Sequence, residues 1–276
     1  MKKIFHKLHR LFEILSKSEK IYDILTFKQH ILNQKNSKNP FNKYGSKCFS
    51  QSDEDGLTLE IVKRIGIKKG TFLEFGVGNG TENNTLILLS LGWKGCWVGN
   101  EKIKLSIPKN SRLKYYQEFV TLENCQKISK SGLDFIMSKS FNIISMDLDG
   151  NDYYLIKTLL ENEFKPELFI VEYNGKFIPP ILFKQNYNSK HFWENDDYFG
   201  CSLSTYVELF RSFDYKLICC NSWTGANAFF VKNKYSGLFP EVPKQINEIY
   251  NPPFYHIRPI GHSINSIKTI ESILDS

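Results

Sequence analysis

At 276 residues the chain is long enough to bury a substantial core, as one large domain or two small ones. A hydrophobic content of 41% with 14% aromatics excludes a disordered polymer, and the N-terminus carries no continuous apolar run of signal-peptide or membrane-span length. The formal charge of +7 fits an anionic partner or a solvated lysine-rich surface, and no basic stretch interleaved with aromatics marks nucleic acid.

Residues 1–35 read as helix, with Ile4, Leu8, Leu11, Phe12 and Leu15 on one face and Lys and His on the other. A second short helix is expected over Lys20 to Asn33. This extension, residues 1–45, reads first as a packing arm or homodimer element and second as a basic helix lying on a membrane. Asn36 to Lys47 reads as a polar linker. The acidic run Asp53-Glu54-Asp55 precedes a helix from Leu57 to Ile65, as a charged N-cap turn or as a segment that closes over a cofactor.

Thr71 to Glu101 follows, and it organises the rest. Thr71–Phe75 is a buried-strand pattern, and Gly76, Gly78 and Gly80 come next at alternate positions. Asn83, Asn84 and Thr85 can cap a helix beginning at Leu86-Ile87-Leu88-Leu89. A turn at Gly92 leads to a second strand, Gly95–Gly99, ending in Asn100-Glu101. Strand, glycine loop, helix, strand and acid form the first half of a nucleotide-binding unit. A dinucleotide loop needs G-x-G-x-x-G, but Thr81 stands where the third glycine should be, and Glu82 would repel phosphate. The pattern present, E-x-G-x-G-x-G from Glu74 to Gly80, suits a cationic ligand such as the ammonium and sulfonium of S-adenosylmethionine. Glu101, 27 residues after Glu74, can accept from both hydroxyls of a ribose.

Five more strands are expected: Leu113–Val120, Phe141–Asp147, Pro166–Tyr173, Tyr215–Cys220 and Asn227–Lys232. Helices are expected between them, at Tyr153–Glu163 and Cys201–Phe213, with Leu122–Gly132 helical or loop. Gly175 to Gly200 has no regular period. The predicted architecture is α/β: a Rossmann-like, seven-stranded, doubly wound sheet. The short connection between the last two strands makes them an antiparallel hairpin. This unit should span 46–235, with 236–276 packed on it as a C-terminal extension ending in a helix over Ile264–Leu274.

In such sheets the ligand sits at the carboxyl ends of the strands, so Glu74, Asp147, Asp149, Glu172 and Asn174 should converge. Methyl transfer to a hydroxyl needs an in-line approach and removal of a proton. Asp147, Asp149 or His191 can act as base. Alternatively a divalent metal lowers the hydroxyl pKa, and all-oxygen ligands suit Mg or Mn. Both readings stand. Tyr173, Phe177, Phe183, Trp193 and Tyr198 can stack on a ring or fill the core, and His256 and His262, flanking Arg258, are acceptor contacts or surface residues.

The Glu74 to Glu101 stretch resembles motif I and the acidic loop of class I S-adenosylmethionine-dependent methyltransferases. That resemblance implies cofactor contacts from Glu74, Gly76, Gly78, Gly80, Asn84, Asn100, Glu101 and Asp147. Asp147, Glu172 and Asn174, after strands four and five, are similar in position to the metal ligands of catechol-type O-methyltransferases, which implies that they hold a metal, although Glu172 and Asn174 are not adjacent. SMDLDGNDYYLIKTLL, VEYN, DDYFGCSLSTYVELF and Thr224–Phe230 resemble bacterial FkbM-type proteins of capsule or surface-polysaccharide synthesis. The implied function is O-methylation of a sugar hydroxyl, on a nucleotide-linked sugar, with no nucleic-acid partner. An NAD-dependent epimerase or dehydrogenase would need a phosphate-binding loop and a Tyr-x-x-x-Lys pair, neither of which is found; a non-catalytic scaffold would not need Glu74 and Glu101. Six cysteines without a C-x-x-C pair read as reduced, which implies a cytoplasmic location.

Overall fold

The structure, a computed structural model, describes residues 2–253 and 261–274, except for the side chains of 2–6, 8–15, 19 and 261. β1 (Thr71–Phe75), β2 (Lys94–Gly99), β3 (Leu113–Gln117), β4 (Ile143–Met146) and β5 (Leu168–Glu172) are parallel. β6 (Tyr215–Cys220) and β7 (Asn227–Lys232) form the expected hairpin, with β7 inserted antiparallel between β5 and β6. The sheet order is β3-β2-β1-β4-β5-β7-β6. Helices cover both faces, which is why the strands read as almost unbroken apolar runs. Packing is tight at the centre: a Cβ on Gly95 of β2 would come within 2.3 Å of the Phe72 ring on β1.

Several boundaries differ from expectation. α1 (Lys2–Asn36) is one continuous helix, because no Gly or Pro interrupts it. Its expected apolar face, Ile4 to Leu15, lies among side chains outside the described set. The polar stretch after α1 is no loose linker. Pro40–Tyr44 forms a 3-10 turn with Phe41 fully buried, and the Asn39 side-chain amide donates to the Ile218 carbonyl at 2.8 Å. α2 (Glu54–Ile65) begins inside the acidic run. α3 (Leu86–Ser90) is only five residues long. α4 (Cys125–Ile136) resolves the ambiguous stretch as helix. α5 (Asp152–Glu161) and α6 (Leu203–Ser212) fall where periodicity placed them.

The C-terminal segment adds the short α7 (Ile246–Ile249) and α8 (Ile267–Leu274). Asp197 anchors it, accepting from the Ser266 N–H at 2.8 Å and the Thr269 hydroxyl at 2.7 Å. No helix among the described residues is long and apolar enough to cross a membrane.

Candidate functional site

The carboxyl end of the sheet is set by one close crossing. Gly76 has φ +86°, and a Cβ there would lie 1.5 Å from the Asp147 carbonyl oxygen, so only glycine lets the chain leave β1 against β4. Gly78 also has positive φ, but a Cβ there would meet nothing within 4 Å. It stands on the edge of open space, the wall of a cavity of about 230 Å³. Gly80 lies away from that cavity, behind Leu105.

Glu74 does not face the cavity. It is buried, and its carboxylate accepts from the Asn84 N–H at 2.8 Å, the Thr85 N–H at 3.1 Å and the Thr85 hydroxyl. Trp97 Nε1–H donates to that same hydroxyl at 2.9 Å, and the Asn84 side-chain amide donates to Ser145 Oγ at 3.2 Å. Glu74 and Asn84 therefore shape the loop and hold the start of α3. Burial pushes the Glu74 carboxyl up to about 7, outweighing the donors that pull it down.

The cavity wall is supplied instead by Gly76, Gly78, Gly99, Asn100 and Glu101, by Glu118 and Phe119 past β3, and by Asp147 to Asp149 past β4. The Tyr115 hydroxyl lies between the carbonyls of Gly99, at 2.9 Å, and Glu101, fixing the turn that presents the Glu101 carboxylate. His191 closes the far side. Its Nε2–H donates to the Asp149 carbonyl at 3.2 Å, and burial lowers its pKa, so the ring is neutral at pH 7.

A second cavity, about 320 Å³, lies on the other side of the strand ends. Glu172, Tyr173, Phe199, Trp223 and His262 line it, and α1 roofs it. The two cavities meet at a pair of acids. The register that sets Met146 beside Val171 brings the next residues, Asp147 and Glu172, together, and their side chains share a hydrogen bond. Burial raises both pKa values well above the carboxylate range, and the neighbouring charges of Asp149 and Asp152 raise them further. Asp152 itself caps the loop after β4, accepting from the N–H groups of Leu148 and Gly150 at 2.8 and 3.0 Å, and burial pushes it up to about 6. Asp149 sits in the left-handed region at φ +52°, which aims it between the cavities.

The expected metal set is not assembled. The Asn174 side chain is buried: its amide donates to the carbonyls of Asp197 and Phe199 at 2.9 and 3.1 Å, and its Oδ1, the atom that would hold a metal, accepts from the Lys176 N–H at 3.3 Å, so it ties down a loop. A different trio comes together: Asp149, Glu172 and His262 each offer a ligand atom, all within 4.8 Å of one another. His262 lies flat on Trp193 at 4.1 Å between ring centroids. His256 and Arg258 lie outside the described residues. Of the candidate stacking rings, Phe177 and Phe183 pack on each other in the interior.

No family model matches the chain, and no curated protein matches it. Among solved structures it is similar to the glycopeptide N-methyltransferase MtfA complexed with S-adenosylmethionine, at 16% identity and TM-score 0.35, over 67% of this chain and 96% of that one. It is similar to MycE methyltransferase from the mycinamycin biosynthetic pathway, in complex with Mg and S-adenosylhomocysteine, at 14% identity and TM-score 0.32 over 42% of this chain. It spans about a third of the length of that protein, 32%. An O-methyltransferase family 2 protein from Planctomyces limnophilus, complexed with apigenin, matches at 12% identity and TM-score 0.35, over 76% of this chain and 61% of that one. At these values the likeness bears on neither substrate nor chemistry.

Three features of the site had no clear sequence signal. Glu118 and Phe119 follow β3 directly, and counting strand ends could have found them. The acidic run was visible, but its use was not. Asp53 accepts from Ser222 N–H and Oγ–H and from Trp223 N–H, and Glu54 from the side-chain amides of Asn221 and Asn227. Asp55 accepts from the N–H groups of Cys48, Phe49 and Ser50. The acids bind the β6–β7 connection, and with it Trp223, to the start of α2. The contribution of α1 to the second cavity was the third.

Proposed function

We propose that the chain is an S-adenosylmethionine-dependent methyltransferase that carries a methyl group to a hydroxyl of a small, sugar-like acceptor. The observation that carries this reading is the pair of cavities meeting at Asp147 and Glu172, with the open glycine at Gly78 and the Glu101 carboxylate on one side. The residues on that side fit the cofactor. Gly78 leaves the room a ligand needs, Glu101 and Asn100 offer acceptors to ribose hydroxyls, and Phe119 offers a ring face to an adenine. Asp147 and Asp149 give the cationic end a carboxylate-rich wall. When bound, the cofactor supplies an electrophilic methyl group.

This chain's own residues then have distinct tasks. The second cavity holds the acceptor with its hydroxyl toward the junction, and Glu172 takes the hydroxyl proton. A carboxylate whose pKa is raised is a stronger base than an ordinary one, and Asp147 shares the charge through their hydrogen bond. His191 holds Asp149 by its backbone and does not reach the second cavity. The FkbM-like segments support a sugar destined for a surface glycan, with the reaction in the cytoplasm.

A metal-assisted form of the same reaction has one specific observation behind it, the Asp149, Glu172 and His262 trio. A set of two carboxylates and an imidazole suits Mn or Zn better than Mg, and such an ion would lower the pKa of the acceptor hydroxyl. Calorimetry with S-adenosylmethionine and with NAD, followed by mass spectrometry of a panel of sugars incubated with protein and cofactor, tests the proposal. Binding of NAD alone would overturn it.

A further inference from the structure

The roof of the second cavity is α1, the element that the sequence marked as a packing arm or homodimer element, or a basic helix lying on a membrane. Tyr22, Thr26, Gln29 and His30 line the cavity from above, at spacings of three and four residues that put them on one helix face. The helix is pinned at its C-terminal end. Gln34 donates to the carbonyls of Asn42 and Gly45 at 2.9 and 2.7 Å and accepts from Trp223 Nε1–H at 3.4 Å. His30 stacks on Trp223 at 5.2 Å between centroids, 15° from parallel, which sets the height of the roof over the floor at Glu172.

Thr26 adds a polar side chain to that face. Its hydroxyl is buried and has no hydrogen-bond partner among the described residues. A buried polar group left unpaired is unfavourable unless a ligand supplies the partner. Glu172 and Thr224 line the same cavity, with Tyr173, Phe199 and Trp223 as its aromatic walls. Polar groups set among aromatic walls match a ring with hydroxyls at its edge and C–H faces. Charge narrows the class further. Among the described residues that line the cavity there is no lysine or arginine, while Glu172 and the adjacent Asp149 would repel an anion.

Resting on the methyltransferase reading above, we infer that α1 completes the acceptor site, and that Thr26, Gln29 and His30 select an uncharged, polyhydroxylated ring. Burial also lowers the pKa of His30, which keeps that imidazole neutral at pH 7 in keeping with an uncharged ligand. Any phosphate or nucleotide attached to the sugar stays outside the box.

The test uses the full chain with S-adenosylhomocysteine present and methyl glycosides of glucose, galactose, mannose and fucose as probes. Saturation-transfer NMR should give signal on ring protons of at least one glycoside with wild-type protein. Thr26→Trp, which fills the cavity, should abolish it. Thr26→Val and Gln29→Leu, which change hydrogen bonding without filling space, should each weaken glycoside binding about ten-fold, the equivalent of one hydrogen bond. S-adenosylhomocysteine should bind all variants with unchanged Kd by calorimetry, which also shows that they are folded. Wild-type glycoside affinity in the two conservative variants would overturn the role of α1. Signal from catechol with none from any glycoside, or none from either probe, would overturn the ligand class. Failure of wild-type protein to bind S-adenosylhomocysteine would instead remove the methyltransferase reading, and glycoside binding read without it would still test the cavity.

Discussion

Asp147 and Glu172 end neighbouring parallel strands, share a hydrogen bond, and form the partition between two cavities. Glu172 faces Asp147, Asp149 and Asp152 as like charges, and His262 from the C-terminal segment. Its raised pKa means that the base is lost as pH falls through a value above the ordinary carboxylate range. Asp147→Asn removes one like charge and adds an amide donor, and both changes lower the Glu172 pKa. The acid limb of kcat should therefore move to lower pH in this variant. A pH–rate profile with an unmoved limb would assign the limb to another group.

Gly76 and Gly78 are two residues apart and should respond oppositely. Gly76→Ala drives a Cβ into the Asp147 carbonyl, so it should destabilise the protein by more than the 1–3 kcal/mol typical of a strained backbone position. Gly78→Val meets open space at its Cβ, at about 1–3 kcal/mol for a β-branched residue at positive φ. It should fold and fail to bind S-adenosylmethionine. Thermal melts and calorimetry on the two variants separate the effects.

Glu74 organises the glycine loop through hydrogen bonds, so its replacement should read out first as stability. Glu74→Gln sets an amide N–H against backbone donors and leaves buried donors unpaired, at about 1–3 kcal/mol. The sign of the pH effect follows from a folded-state pKa raised to about 7. Wild-type protein binds a proton here that the unfolded chain releases near its usual value, so this stabilisation is full at low pH and fades as pH rises toward 7. The penalty of Glu74→Gln should be larger at pH 5 than at pH 8 in denaturant titrations.

Asp53 supports the acceptor side at a distance. Asp53→Asn removes acceptors for Ser222 and Trp223, so it should cost about 1.5–3 kcal/mol and loosen the wall that Trp223 forms. Acceptor KM should rise more than cofactor Kd. Equal rises in both would show that the whole sheet end had moved.

The strands were legible because each is a short apolar run punctuated by turn residues, and the hairpin was legible because its connection is six residues long. Strand ends also located the acids correctly at one end of the sheet. Which way each acid faces was not legible. Glu74 and Asp147 both end a strand, but Glu74 meets the N–H groups of Asn84 and Thr85 and turns inward, whereas Asp147 meets Glu172 and stays at the cavity. Asn174 looked like a ligand by position, and the carbonyls of Asp197 and Phe199, more than twenty residues away, claimed it. Such choices are made by tertiary partners that no local pattern encodes.

The same partners decide how the acceptor proton leaves. With Asn174 engaged elsewhere, Glu172 is the carboxylate that reaches the acceptor cavity among the described residues. Turnover should survive exhaustive treatment with chelator. Asp149→Asn and His262→Ala should keep kcat within about ten-fold, since neither group takes the proton. Glu172→Gln should lower kcat by about 10²–10⁴, the range for loss of a general base, with cofactor Kd unchanged. The metal-assisted form predicts the reverse pattern: loss of activity with chelator, recovery with Mn or Zn, and equal damage from Asp149→Asn, Glu172→Gln and His262→Ala. Measuring kcat for the three variants with and without chelator therefore distinguishes a protein base from a bound ion, and activity abolished by chelator would overturn the role given to Glu172.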